Sequence, residues 1–230
     1  LKNKGNYYFD ADGVMFIKTG VFDGYYYREG HIVSNAGLVL CDDYYYYVLD
    51  AGAVVKDQSV WVEMTNGLKP KGTYTFDAEG KMIELNGVVD GYYYEDGLRV
   101  EAGLVKVNDS YYYAASGGKV VTDQSYWITK HNDLLPLGTY RFDGEGKAIM
   151  TTEIVDENGT LYYYQDGRRL SYAGLVLLDG YYYNVESGGI VSVDKSIWVD
   201  KTNGLKPQGV YSFDKEGKMI IIDGIVDGYY

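Results

Sequence analysis

Proline is nearly missing from this 230-residue chain, with only Pro70, Pro136 and Pro207. That excludes a collagen-like chain and a proline-rich linker. Cysteine is scarcer still. Cys41 stands alone, so no internal disulfide can form, and it reads as a buried thiol. Secreted repeat proteins can lack disulfides, so this count leaves the compartment open. Positive charge is short too: 21 Lys and Arg face 33 Asp and Glu, a formal net charge of −12. Nucleic acid and anionic membrane both require a basic face, so neither is an expected partner. Cationic groups, neutral sugars and basic protein patches remain compatible. The longest apolar run, Ala173 to Leu178, falls far short of the roughly 20 residues of a spanning helix. No membrane insertion is expected.

Tyrosine (28) and glycine (30) dominate, and an aromatic content of 16% argues for a folded chain. The triplet Tyr25-Tyr26-Tyr27 recurs at Tyr92-Tyr93-Tyr94 and Tyr162-Tyr163-Tyr164, and starts again at Tyr229-Tyr230. Its start therefore repeats at intervals of 67, 70 and 67 residues. A stretch copied at a near-fixed interval marks a repeat array, which grows by stacking neighbours. We read 1–230 as one continuous array: 1–24 a partial repeat, 25–91, 92–161 and 162–228 three full repeats, and 229–230 the start of another. Leu1-Lys2-Asn3-Lys4-Gly5 is similar to Leu68-Lys69-Pro70-Lys71-Gly72, so the chain reads as a piece of a longer protein. Missing targeting signals then carry no information.

Each repeat divides into three modules. The first kind (Tyr25–Asp43, Tyr92–Ser110, Tyr162–Gly180) carries the tyrosine triplet, an acidic-Gly turn, and a second strand reaching Ala-Gly-Leu-Val. The second (Tyr44–Gly72, Tyr111–Gly138, Tyr181–Gly209) is longer. The third (Thr73–Gly91, Thr139–Leu161, Val210–Gly228, and Asn6–Gly24) carries Tyr-x-Phe-Asp-x-Glu-Gly-Lys, as in Tyr74 to Lys81. Aromatic and β-branched residues favour strands, and an Asp with a Gly three positions later suits a hairpin loop. No stretch holds a 3.6-residue period over three turns. The expected fold is all-β, a β-solenoid of stacked β-hairpins with about three hairpins per 67–70-residue repeat. An isolated hairpin is marginal in water, so neighbours must cover at least one face. Each buried tyrosine then contributes a gross gain of about 4–6 kcal/mol before entropy. Alternation places Tyr25 and Tyr27 on one face and Tyr26 on the other.

The unit Asp-[Gln/Lys]-Ser-x-Trp recurs in the long module: Asp57, Ser59 and Trp61; Asp123, Ser125 and Trp127; Asp194, Ser196 and Trp198. An indole offers a stacking surface for a sugar ring, and the neighbouring polar groups offer hydrogen bonds. Tyr74, Tyr140 and Tyr211, which come after the loop, complete the candidate ligand-binding set. The competing structural role is that Trp packs the loop while Asp and Ser close a turn. The tyrosine triplets likewise read as stacking core or as grooves between hairpins. Acidic turns such as Asp77-Ala78-Glu79-Gly80 invite a calcium reading. Counting twelve positions from Asp10, Asp77 and Asp214 reaches Val21, Val88 and Ile225, so the EF-hand pattern fails and no metal is expected. The two histidines, His31 and His131, have no nucleophile, zinc or phosphate-loop motif around them, so neither catalysis nor a cofactor is expected.

Tyr7-Tyr8-Phe9-Asp10-x-x-Gly13 and the Tyr-Tyr-Tyr-x-x-Gly units resemble the cell-wall-binding repeats of Gram-positive bacteria. These include choline- and glucan-binding repeats and the carbohydrate-binding repeats of large clostridial toxins. The resemblance implies chains of roughly 20-residue hairpins winding into a β-solenoid. It departs at the Gly-Trp-Tyr-Tyr motif expected of choline-binding repeats: the first aromatic is Tyr throughout (Tyr25, Tyr92, Tyr162), which weakens a cation–π cage. The function this resemblance implies is that of an extracellular module, on the cell surface or secreted, binding a cell-wall glycan or other carbohydrate polymer. Two rival expectations are an adhesin for a host glycoprotein or an immunoglobulin, and a plain spacer. Uncapped array ends also predict end-to-end self-association.

Overall fold

The computed structural model describes residues 7–9, 11–15 and 17–221. Among them there is no α-helix; 21 short strands carry the fold, with 3-10 turns at Asp50–Gly52, Ser116–Gly118 and Ser187–Gly189. The chain is all-β, as its patterning predicts. It divides into two compact units, one holding the described residues to Ala102 with Ala114–Val120, the other Gly103–Tyr113 and the described residues from Val121 onward.

The first unit opens with a three-stranded sheet of β1 (Gly20–Phe22), β2 (Tyr25–Arg28) and β3 (His31–Ile32). The hairpins β4 (Gly37–Cys41)–β5 (Tyr44–Val48) and β6 (Gln58–Val62)–β7 (Gly72–Phe76) come next. A second three-stranded sheet, β8 (Gly87–Val89), β9 (Tyr92–Glu95) and β10 (Leu98–Arg99), closes the unit. In the second unit β11 (Gly103–Val107) pairs with β12 (Ser110–Ala114). A five-stranded sheet then joins β13 (Gln124–Ile128), β14 (Gly138–Phe142), β15 (Glu153–Glu157), β16 (Thr160–Gln165) and β17 (Arg168–Arg169) in the order β13-β14-β17-β16-β15. Two hairpins complete it, β18 (Gly174–Leu178)–β19 (Tyr181–Val185) and β20 (Lys195–Val199)–β21 (Gly209–Phe213).

Turn chemistry sets the pairing, and it shifts the hairpins from their expected frame. The tyrosine triplet pairs backward, Val21 opposite Tyr26, across the two-residue turn Asp23-Gly24. Both turn residues take positive φ (52° and 82°), the type I′ geometry that matches strand twist. Asp90-Gly91, Asn158-Gly159 and Asp179-Gly180 repeat it. The strand after the acidic-Gly turn is only two residues long, and Ala-Gly-Leu-Val pairs forward instead, Val39 opposite Tyr46. The Tyr-x-Phe-Asp loop forms as expected. Lys81 N donates to Asp77 Oδ1 at 2.7 Å and Gly80 sits at φ +85°; Asp143 and Asp214 bond the same way to Lys147 and Lys218.

Successive hairpins are tied by backbone bonds: Val54 N to Gly24 O, Met82 N to Tyr45 O, Ala148 N to Tyr111 O and Met219 N to Tyr182 O. Between them lie small separate cores. Leu38, Val62, Tyr74, Phe76 and Met82 form one, and Tyr163, Tyr183, Val185 and Val191 another. The triplet does not split into one covered and one open face. Tyr26 joins Val39, Tyr46 and Val48, while Tyr27 is also buried, meeting Tyr8 and Phe22 edge-on or tilted. Tyr25 alone is partly open, because both faces of this short sheet meet neighbours. Cys41 is half-buried rather than buried; burial first, then the Asp42 charge, pushes its thiol up.

Candidate functional site

The long module places its chemistry by strand register. In β6–β7, Ser59 stands opposite Thr75 and Trp61 opposite Thr73, while Val60 faces Tyr74. Opposed residues share a face and neighbours alternate, so Ser59 and Trp61 point outward and Tyr74 inward. Ser125 and Trp127 against Tyr140, and Ser196 and Trp198 against Tyr211, repeat the arrangement. The three indoles are 60%, 59% and 61% exposed. A tryptophan that sealed the loop would be mostly covered, and these three are mostly open.

The loop is held by other groups. Tyr74 and Tyr140 are buried, and their hydroxyls donate to the carbonyls of Pro70 and Pro136 at 2.9 Å. Tyr211 makes the same bond to Pro207 at 2.7 Å. The register turns all three away from the tryptophan face, so they anchor the loop instead of presenting a ligand surface. Asn66 and Asn203 complete the anchoring: each amide donates to two carbonyls of an earlier strand segment, Ala36 and Leu38, and Ala173 and Leu175. Asn132 donates to Leu104 O. Asp57, Asp123 and Asp194 hold positive φ, and their backbone N–H groups donate to Asp77, Asp143 and Asp214 carbonyls. These bonds fix the start of the strand.

Polar groups surround each indole differently. Trp61 Nε1 donates to Glu63 Oε2 at 3.0 Å. Hydrogen bonds from Lys71 and then Trp61 hold the Glu63 carboxyl below its ordinary range. Trp127 is flanked along the chain by Tyr126, whose ring meets Tyr113 at 5.0 Å between centroids. Trp198 borders a recess of about 250 Å³ that Asn184, Glu186, Ser187 and Asp200 also line. Burial pushes the Glu186 carboxyl up, but hydrogen bonds from Lys195 and Ser192 outweigh it and leave it lowered.

The serines are less free than the sequence suggests. Ser59 Oγ bonds Thr75 at 2.7 Å and accepts from Arg99 Nη2 at 2.9 Å, and Ser196 bonds Ser212. Ser125 Oγ donates to Glu157 Oε1 at 2.6 Å and meets Tyr164 OH at 2.9 Å. Arg169 closes this network through Glu157 Oε2 and Tyr164, with its guanidinium 3.8 Å above the Tyr162 ring. Arg99 lies equally over Tyr92. Sequence reasoning missed this pair, although the two arginines stand seven residues after the first tyrosine of their triplets.

No family model and no curated protein matches the sequence. Solved structures do. The modular autolysin LytC from Streptococcus pneumoniae aligns over 95% of this chain and 48% of its own, at TM-score 0.56 and 14% identity. The chain thus spans less than half of the autolysin. Choline binding protein F from the same organism aligns over 94% of this chain and 75% of its own, at TM-score 0.52 and 19% identity. The choline-binding domain of pneumococcal CbpL aligns over 96% of this chain and 100% of its own, at TM-score 0.52 and 18% identity. The likeness is one of fold: this chain folds as those choline-binding domains do.

Proposed function

We propose that this chain is a non-catalytic module of a Gram-positive cell surface that holds a wall-associated glycan by stacking it on Trp61, Trp127 and Trp198. The observation that carries the reading is one exposed indole per repeat, at the same register position and with close to 60% of its surface in water each time. A large apolar ring left open three times over suits a ligand with a flat apolar face and hydroxyls at its rim. The fold agrees with this setting. LytC has been solved with a synthetic peptidoglycan ligand, and its likeness in fold, with about three consecutive hairpins per repeat, supports reading this chain as a β-solenoid. Single sites of this kind bind weakly, with Kd about 1 mM. Three copies on one chain raise avidity by about 10²–10⁴ on a polymer.

Retention on purified Gram-positive cell walls tests the reading. Changing Trp61, Trp127 and Trp198 together to Ala removes the platforms and, because the rings are open to solvent, leaves the thermal midpoint nearly unchanged. Retention should fall by at least tenfold, about 1.4 kcal/mol. A folded triple variant that is retained as well as the parent overturns the proposal.

A further inference from the structure

The repeats are not equivalent. The hairpin β8–β9 has three residue pairs and turns at Asp90-Gly91, whereas β15–β16 has five and turns at Asn158-Gly159. The longer hairpin carries Asp156 and Glu157 past the point where its counterpart has already turned. There it walls a recess of about 650 Å³ against the start of β13 and the Asp143 turn. Val155, Ile149 and Phe142 supply apolar lining, and Gln124, Ser125 and Asn158 supply neutral polar groups.

The bonds already made around the recess define what it lacks. Arg141 is engaged by Glu153, Glu157 by Ser125, Tyr164 and Arg169, and Asp143 Oδ1 and Asp156 Oδ1 by backbone N–H groups. Asp123 also lines it, exposed to solvent and with only its backbone engaged. Carboxylates only accept, so a ligand group that replaces water at Asp123 is a donor. A ring that presents several hydroxyls on one side and C–H groups on the other satisfies acceptors and apolar lining together. Trp127 lies two residues beyond Ser125 on the same outward face, about 7 Å along the strand. That is close to the reach of one saccharide unit to the next.

We propose that the second repeat is an extended site: one sugar unit stacks on Trp127 and its neighbour occupies the recess, donating hydroxyls to Asp123. The inference rests on the glycan reading above and adds a specificity the first repeat lacks. Its ligand is a linear, neutral oligosaccharide of at least two units.

The test is a glycan array of mono- to tetrasaccharides, neutral and amino-sugar, probed with the whole chain. Asp123→Gly keeps the turn, since glycine accepts the positive φ there, and removes the carboxylate. A second variant replaces 156–161 with the Asp-Gly turn of the first repeat. Each is made in a Trp61→Ala, Trp198→Ala background so that only the second repeat reports. Neutral disaccharides or longer should bind the background protein, and each further change should weaken them about tenfold, the worth of one hydrogen bond to a charged group. Asp57→Gly, in the otherwise unaltered chain, should leave binding unchanged. Trp127-dependent binding that ignores both variants, or binding confined to monosaccharides or amino sugars, overturns this inference and leaves the general reading standing. Failure of the unaltered chain to bind any glycan overturns both.

Discussion

Glu157→Gln removes one charge from a densely bonded polar cluster of the second unit and leaves its shape. Glu157 Oε1 accepts from Ser125 and from Tyr164, each at 2.6 Å, and Oε2 accepts from Arg169. The Glu157 and Arg169 side chains are 23% and 20% exposed, so the pair is neither a surface bridge nor a sealed one. Breaking a sealed pair costs about 3–5 kcal/mol, an exposed one about 0–1. With a fifth of each group in water and the amide still able to accept one bond, the expected loss at pH 7 is about 2 kcal/mol. Burial pushes the Glu157 carboxyl up, yet the Ser125 and Tyr164 hydrogen bonds and the Arg169 charge leave it below its ordinary range. A carboxyl lowered by folding contributes its stability above the unfolded value of about 4.3 and loses it as pH falls through the folded one. Urea unfolding of parent and variant should therefore differ by about 2 kcal/mol at pH 7, and the gap should close progressively as pH falls below the unfolded value of about 4.3. Equal midpoints at pH 7, or a gap that persists undiminished in acid, would refute the argument.

Three further substitutions separate the loop anchors from the backbone. Tyr140→Phe deletes only the bond to Pro136 O and should cost about 1 kcal/mol in urea unfolding, with the ring still buried. Gly37→Ala should be far more damaging than Gly67→Ala, although both glycines hold positive φ, 70° and 74°. A Cβ at Gly37 would stand 2.6 Å from Met64 O, while at Gly67 it meets open space. The Gly67 change then costs about 1–2 kcal/mol of left-handed strain, and the Gly37 change that strain plus displacement of the neighbouring chain, read as a thermal midpoint lowered by several degrees more.

What the sequence disclosed depended on the range of the physics involved. The Tyr-x-Phe-Asp loop is local: an Asp side chain reaches four residues forward and a Gly takes φ > 0, so Asp77, Asp143 and Asp214 were legible. The tyrosine triplet was legible as strand but not as to its partner. Two turns compete for it, Asp23-Gly24 before and Glu29-Gly30 after, and both form, which makes a three-stranded sheet where a hairpin was expected. The recurring Asp-x-Ser-x-Trp unit left packed and open tryptophans as alternatives, and the inward tyrosines were hidden because one residue of register moves Tyr74 to the other face. The Ser125–Glu157–Arg169 network joins residues more than thirty positions apart through strand order, which no local pattern encodes.

The tyrosine faces bear on which aromatic surface a ligand meets. Arg99 and Arg169 lie 3.8 Å over Tyr92 and Tyr162, Lys81 and Lys218 lie 4.1 and 4.3 Å over Tyr44 and Tyr181, and Lys69 and Lys206 cover Tyr45 and Tyr182 at about 5 Å. Each contact is worth about 0.5–1 kcal/mol at an exposed ring. Because the cation is tethered, its effective concentration is of millimolar order or higher. A free quaternary ammonium must displace it to use the same face, and gains only the difference between two similar attractions. Among the described residues, no Lys or Arg is stacked over Trp61, Trp127 or Trp198. The chain's own cations therefore lie over its tyrosines and leave its indoles open, so a ligand that uses an aromatic face meets the least competition at Trp61, Trp127 and Trp198.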